Sequence, residues 1–214
     1  MRRIIALLLP LLVAAPLMGQ TLVGVRAGLN RSTVSAEGLS DLEGLVDLDA
    51  RMGMVVGVDA AFPLAGAIEL RVGGAYAQKG FSASAAGLGS ISGNADYLQL
   101  SALARMGTPR NGGLSVGVLL GPWSGFLLSC NAVASIDLGE LGSVSDSESC
   151  GDDLKGTDFG IAAGAGAELA VSEGLTLALD LIYWMGLADT GDLPDSGKNR
   201  SLAIQAGVVI PFGG

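Results

Sequence analysis

The stretch from Arg51 to Gly80 admits few folds. Every second residue from Met52 is apolar (Met52, Met54, Val56, Val58, Ala60, Phe62), and Gly53, Val55, Gly57, Asp59 and Ala61 lie between them. After Pro63-Leu64-Ala65-Gly66 the alternation restarts. Ile68, Leu70, Val72, Gly74 and Tyr76 fall on one side, and Glu69, Arg71, Gly73, Ala75, Ala77 and Lys79 on the other. Successive side chains of a strand point to opposite faces. Each arm therefore has one aliphatic face and one face of small and charged residues, and a turn carrying Pro and Gly joins the arms. An arm of about ten residues is what a tilted strand needs to cross a bilayer. The pattern is that of a membrane-crossing β-hairpin.

The same alternation recurs along the chain. It marks strands at Thr21–Asn30, about Gly93–Met106, from Leu114 onward, Thr157–Val171, Leu175–Met185 and Leu202–Phe212. Pro122 is expected to disturb regular pairing in the strand that starts at Leu114. Eight strands result, joined alternately by long and short connections. The long ones are Arg31–Ala50, Phe81–Ser92, Ser129–Lys155 and Ala188–Asn199; the short ones are the Pro63–Gly66 turn, 108–113 and Ser172–Gly174. Short periplasmic turns and long external loops are the asymmetry of a bacterial outer-membrane barrel. The expected fold is all-β: an eight-stranded antiparallel up-and-down transmembrane β-barrel spanning residues 21–214.

Residues 1–20 read as a secretory signal peptide. Arg2 and Arg3 precede an apolar core, Ile4–Met18, broken by Pro10 and Pro16, and Gly19-Gln20 offers a cleavage point. The two prolines argue against a transmembrane helix there. Removing Arg2 and Arg3 from the 12 basic residues leaves 10 against 21 acidic ones, a net charge of −11. Such a chain has little with which to neutralise phosphates, so nucleic acid is not an expected partner. Half the residues are hydrophobic and 34 are Gly, yet no later stretch is long and apolar enough for a helical span. Apolar residues spread over alternating strands account for both facts.

The faces separate a membrane barrel from a soluble lipocalin-like cup, which would point its apolar residues inward. Here the second face is rich in Gly and Ala and carries Arg26, Arg71, Lys79 and Arg105 together with Asp59, Glu69, Asp158, Glu168 and Asp180. Small residues fit a narrow lumen, and charges placed there must pair. The nine are the expected lumen ion-pair network. The aliphatic face then meets outer-membrane lipid, with Phe62, Tyr76, Tyr183 and Phe212 as sparse interfacial aromatics.

The order of short motifs resembles the PorT-like outer-membrane β-barrel family, common in Bacteroidetes and neighbouring phyla. The resemblance rests on Gly24-Val25-Arg26-Ala27-Gly28-Leu29-Asn30, and on Glu69-Leu70 leading to Tyr76-Ala77-Gln78-Lys79-Gly80. It continues through Tyr97-Leu98-Gln99-Leu100, Asp158-Phe159-Gly160 with Gly164-Ala165-Gly166-Ala167-Glu168, and the closing strand. It spans the mature chain and implies an eight-stranded barrel in the outer membrane of a Gram-negative bacterium, without a common catalytic residue. Insertion by the barrel assembly machinery is expected. The Gly213-Gly214 tail departs from chains that end on the aromatic residue.

Candidate sites are few. Cys130 and Cys150 follow a secretory signal, an oxidising context, and are expected to form a disulfide stapling an external loop. With no His and no third Cys, a zinc site is not expected. The external acids lack EF-hand spacing; Asp47 and Asp49 come nearest to a ligand pair. The absence of His excludes a Ser-His-acid mechanism, and no phosphate-loop or dinucleotide motif is present. No cofactor or enzymatic activity is expected. The leading expectation is a structural or interaction role through acidic external loops, with an external partner that the residues do not identify. A lipocalin-like carrier and a narrow pore or secretion accessory are the alternatives.

Overall fold

The computed structural model describes residues 20–35, 47–85, 89–109, 113–137, 143–150, 155–189 and 197–212. Residues 1–19, where the signal peptide is expected, and parts of each expected long loop lie outside the described residues. The described elements are nine strands: β1 (Thr21–Ser35), β2 (Asp47–Ala65), β3 (Ile68–Ala85), β4 (Gly89–Gly107), β5 (Leu114–Asp137), β6 (Ser143–Ser149), β7 (Thr157–Ser172), β8 (Leu175–Gly186) and β9 (Lys198–Phe212). Eight of them close into a ring in the order β4-β3-β2-β1-β9-β8-β7-β5, with β5 pairing back onto β4. All pairings are antiparallel, and the first and last barrel strands meet along their lengths, from Thr21 opposite Phe212 to Ser35 opposite Lys198. The barrel is the eight-stranded, up-and-down one that the alternation predicts.

β6 is the addition. It lies outside the ring and pairs only with the distal part of β5, from Asn131 opposite Ser149 to Asp137 opposite Ser143. The expected loop Ser129–Lys155 is thus in large part a β-hairpin. Two other expected loops also shrink. β3 and β4 stay paired as far as Ala85 opposite Gly89, and β1 and β2 extend to Ser35 and back to Asp47. The barrel wall therefore continues beyond the aliphatic band at the end that carries the long connections. The opposite end is tight: Gly66-Ala67 joins β2 to β3, with Gly66 at φ 56°, a conformation costly for a residue with a Cβ.

Pro122 leaves β5 unbroken. The β5–β7 pairing runs through it, opposite Ile161. On the other edge the ladder to β4 lapses after Ser101–Trp123 and resumes at Ala104–Leu120. A proline has no N–H to give one of its two neighbours, and the lapse is confined to that place. A second lapse, between Ala50 and Val55 of β2, frees backbone groups of β3. Side chains of β1 take them up. Asn30 Nδ2 donates to Gln78 O at 2.9 Å, and the Ser32 hydroxyl accepts from Gly80 N at 2.9 Å and donates to Gly80 O at 3.1 Å. Buried backbone groups need such partners.

The faces are sorted as the lipid-facing reading requires. The aliphatic face points outward: Val25, Leu29, Val58, Leu100, Val118, Leu179 and Ile204 are all exposed, Val58 by 59%. The other face is buried inside the ring, where Asp180 is 2% exposed and Ala162 fully covered. A cup for water-soluble use would show the reverse.

Candidate functional site

Three zones follow one another through the lumen from the short-turn end. Along β3 the inward positions read Glu69, Arg71, Gly73, Ala75, Ala77, Lys79; along β4 they read Arg105, Leu103, Ser101, Gln99, Tyr97; along β8, Asp180, Ile182, Trp184. Charges come first, then small and apolar residues, then an aromatic zone.

The charged zone is one connected set. Arg26 Nε meets Asp59 Oδ1 at 2.6 Å, and its Nη1 meets Asp180 Oδ2 at 2.9 Å. Arg71 Nη1 donates to the same Asp180 oxygen at 2.8 Å. Arg105 lies 3.6 Å from Glu168 and 3.8 Å from Glu69, and its Nη2 donates to the Ser115 hydroxyl at 2.7 Å. Arg26 reaches Glu168 at 3.9 Å, which joins the two halves. Seven of the nine charged residues assigned to the lumen are thereby brought together. Room for them comes from glycine: a Cβ on Gly166 would collide with Asp180 Oδ1, the carboxylate that two arginines hold.

Lys79 and Asp158 stand apart from this set. Asp158 accepts from Asn199 Nδ2 at 2.8 Å. The Lys79 ammonium, 2% exposed, makes no hydrogen bond. It sits 3.9 Å from the Trp123 ring centroid and 5.1 Å from that of Tyr97, so aromatic faces meet its charge. Trp123 is held in turn edge-to-face against Trp184, with centroids 6.1 Å apart and planes at 89°. Replacing a buried donor that has no hydrogen bond with an apolar group of similar shape removes its desolvation cost. Lys79→Met is therefore expected to leave the urea midpoint unchanged or raise it. A large fall would mean that the ammonium's attraction to Asp158 and to the aromatic faces outweighs its desolvation cost.

Between these zones lies a plug that the charge pattern does not announce: Leu103, Leu119, Ala162, Ile182 and Trp184, all buried. Leu103, Ile182, Trp184 and Ala162 share inward parity with Arg105, Asp180 and Asp158 on their own strands, and Leu119 with Ser115 on β5, and that parity is the signal that could have found them. A cavity of about 40 Å³ remains beside them, lined by Arg26, Asp59, Arg71, Gln99, Leu103 and Trp184 among others. It has room for a few waters, far less than a ligand of drug size needs. At the short-turn end a recess of about 450 Å³ is bordered by Leu22, Ser115, Glu168, Glu173 and Val209.

Beyond the ring, Cys130 and Cys150 form a disulfide at the base of the β5–β6 hairpin, with Cα atoms 5.4 Å apart, and Cys150 N donates to Cys130 O at 3.3 Å. Asp146 and Glu148 of β6 are exposed. Closing a segment of 20 residues stabilises by about 3 kcal/mol in the chain-entropy model. Reduction is expected to make the hairpin sensitive to protease while the barrel itself still migrates as a folded species on unheated gels. Loss of the folded band would show that the staple supports the barrel as well.

The family described as "Outer membrane protein beta-barrel domain" matches residues 16–191. No curated protein matches the chain. Among solved structures, outer membrane protein OprG from Pseudomonas aeruginosa is similar with TM-score 0.51 and 11% identity, over 92% of this chain and 97% of that one. Outer membrane protease OmpT from Escherichia coli is similar with TM-score 0.50 and 9% identity, over 90% and 97%. At such identities the likeness is one of fold. Ail of Yersinia pestis is 17% identical over 90% of this chain and 100% of that one, with TM-score 0.43.

Proposed function

Because the chain belongs to the outer membrane protein β-barrel domain family, we propose that it is a closed, non-enzymatic barrel whose role lies in what it presents outside the cell. It is an integral outer-membrane β-barrel protein of a Gram-negative bacterium. Residues 1–20 serve its export, and the barrel assembly machinery inserts it. The filled mid-lumen carries the reading. Leu103, Leu119, Ile182 and Trp184 are buried across it, and an ion-paired set stands beneath them. A lumen packed in this way favours structural rigidity over transport. The disulfide-stapled β5–β6 hairpin is the best-defined element for external contact. The PorT-like motif order supports a finer place among envelope accessory barrels, and no single residue adds a secretion role to it.

Two measurements test this reading. Outer-membrane extracts should yield a species whose gel migration changes on heating, and the purified protein should open no stable channel in planar bilayers. Recovery in the soluble periplasm without detergent would favour the carrier. Sustained conductance would favour the pore.

A further inference from the structure

We propose that Arg31, Lys198 and Arg200 form a binding site for a phosphorylated lipid headgroup on the outer face of the barrel, at its long-loop end. The proposal rests on the outer-membrane reading above. The lipid-facing row of β1 runs Val23, Val25, Ala27, Leu29, and its next member is Arg31. The corresponding row of β9 runs Ile210, Val208, Ala206, Ile204, Leu202, and its next members are Arg200 and Lys198. These strands pair, with Arg31 opposite Leu202, Thr33 opposite Arg200 and Ser35 opposite Lys198. The aliphatic band thus ends within one row on the two strands, at Leu29 on β1 and at Leu202, opposite Arg31, on β9, and positive charge begins there. Arg31 and Arg200 are diagonal neighbours on one face, with Cα atoms about 7–8 Å apart, a span that lets two long side chains converge on one phosphate.

The depth fits. Tyr183 of β8 also pairs with Leu202, so an outward-facing tyrosine, 41% exposed, shares the row of Arg31. Aromatic side chains of this kind favour the headgroup level. Arg200 is steadied by donating from Nη1 to Gly186 O and to Asn199 O. Among the described residues no carboxylate lies within salt-bridge distance of any of the three bases, although Arg200 acts at longer range on the Asp158 carboxylate, whereas Arg26, Arg71 and Arg105 of the lumen all meet acids. In a chain of net charge −9, these three bases are a local concentration of positive charge where the aliphatic rows of β1 and β9 end. Arginine and lysine beside apolar surface suit a ligand with phosphate above and acyl chains below.

The test uses the full mature protein folded in maltoside micelles and native mass spectrometry with three probes: lipid A, lipid A stripped of its phosphates, and inorganic phosphate. Lipid A should bind the unaltered chain about thirtyfold more tightly than the Arg31→Gln/Lys198→Gln double variant, as expected for two interfacial charges. The stripped lipid should bind both alike. Lys198→Gln alone should give a smaller loss in the same direction and keeps the test open if the double variant does not fold. Equal lipid A binding by the unaltered and variant chains would overturn the proposal. So would equal binding of phosphorylated and stripped lipid, or full displacement by millimolar inorganic phosphate, which would mark a free-anion site. A chain that never forms the heat-modifiable species counts against the barrel reading; a folded chain without phosphate preference counts against this site alone.

Discussion

Asp180→Ala is expected to lower the stability of the folded barrel by about 3–5 kcal/mol, the cost of breaking a buried ion pair from one side. Asp180 is 2% exposed, and one of its oxygens serves two guanidinium groups, Arg26 at 2.9 Å and Arg71 at 2.8 Å. Removing the carboxylate leaves both arginines in a lumen whose adjoining cavity is only about 40 Å³, with little water to take over. The measurement is the urea midpoint of the folded, fast-migrating form in lipid vesicles. Asp180→Asn keeps the volume and an acceptor, and should cost less. In an Arg71→Ala background, Asp180→Ala should also cost less than it does alone, because one of the stranded charges is gone. A midpoint that does not move would mean that the lumen is wetter than its packing indicates, and the closed-barrel reading would lose its main support.

The same geometry explains why ions occupy this lumen at all. The inward face of a narrow barrel alternates with the lipid-facing one, residue by residue. Positions beside Leu179 and Leu181 must face inward whatever they carry. Large apolar residues at every such position would overfill the space, and small ones throughout would leave voids. The chain mixes Gly166 and Gly164 on β7 with Asp180 and Ile182 on β8, directly opposite in register. Side chains from one strand fill the space that glycine leaves on the next. Substituting Gly166 would press on the carboxylate that Arg26 and Arg71 share.

Period-two alternation makes the ring, its strand number and the sorting of faces readable, because a strand between lipid and lumen cannot break that pattern without cost. Where the wall leaves the bilayer, the constraint ends. Phe81 to Ser92 is rich in Gly, Ala and Ser, with Leu88 and Ile91 its only aliphatic residues beyond Ala, and reads as loop, yet β3 and β4 pair through it to Ala85 and Gly89. β6, with Ser at 143, 145, 147 and 149, is held by backbone pairing to β5 and by the disulfide at its base. Side-chain pattern does not record either. The choice of ion partners is also hidden. Arg26 of β1 meets Asp180 of β8 and Glu168 of β7, contacts across the lumen that depend on ring closure. Trp123 escapes notice because the disturbance expected at Pro122 leaves the face of the next residue open.

Val58→Arg is expected to cost about 2–4 kcal/mol, the penalty for a long cation on the lipid face near mid-bilayer. Val58 is 59% exposed, in the middle of the aliphatic row of β2. On a water-soluble protein, a substitution so exposed would stay within about ±0.5 kcal/mol. The same residue therefore gives opposite results under the two surroundings. Leu179→Arg, on a different strand with Leu179 51% exposed, should behave like Val58→Arg. Leu114→Arg should cost only about 0–1 kcal/mol, since penalties on the lipid face fall toward the interface and Leu114 begins β5 at the short-turn rim. Unfolding in vesicles reads all three, and the dependence on depth is the decisive feature. Equal small effects at all positions would mean that the aliphatic face does not meet acyl chains. Arg31 fits the same gradient: it stands at the far end of the β1 row that Val23 begins, and its cation falls where the bilayer gives way to headgroups.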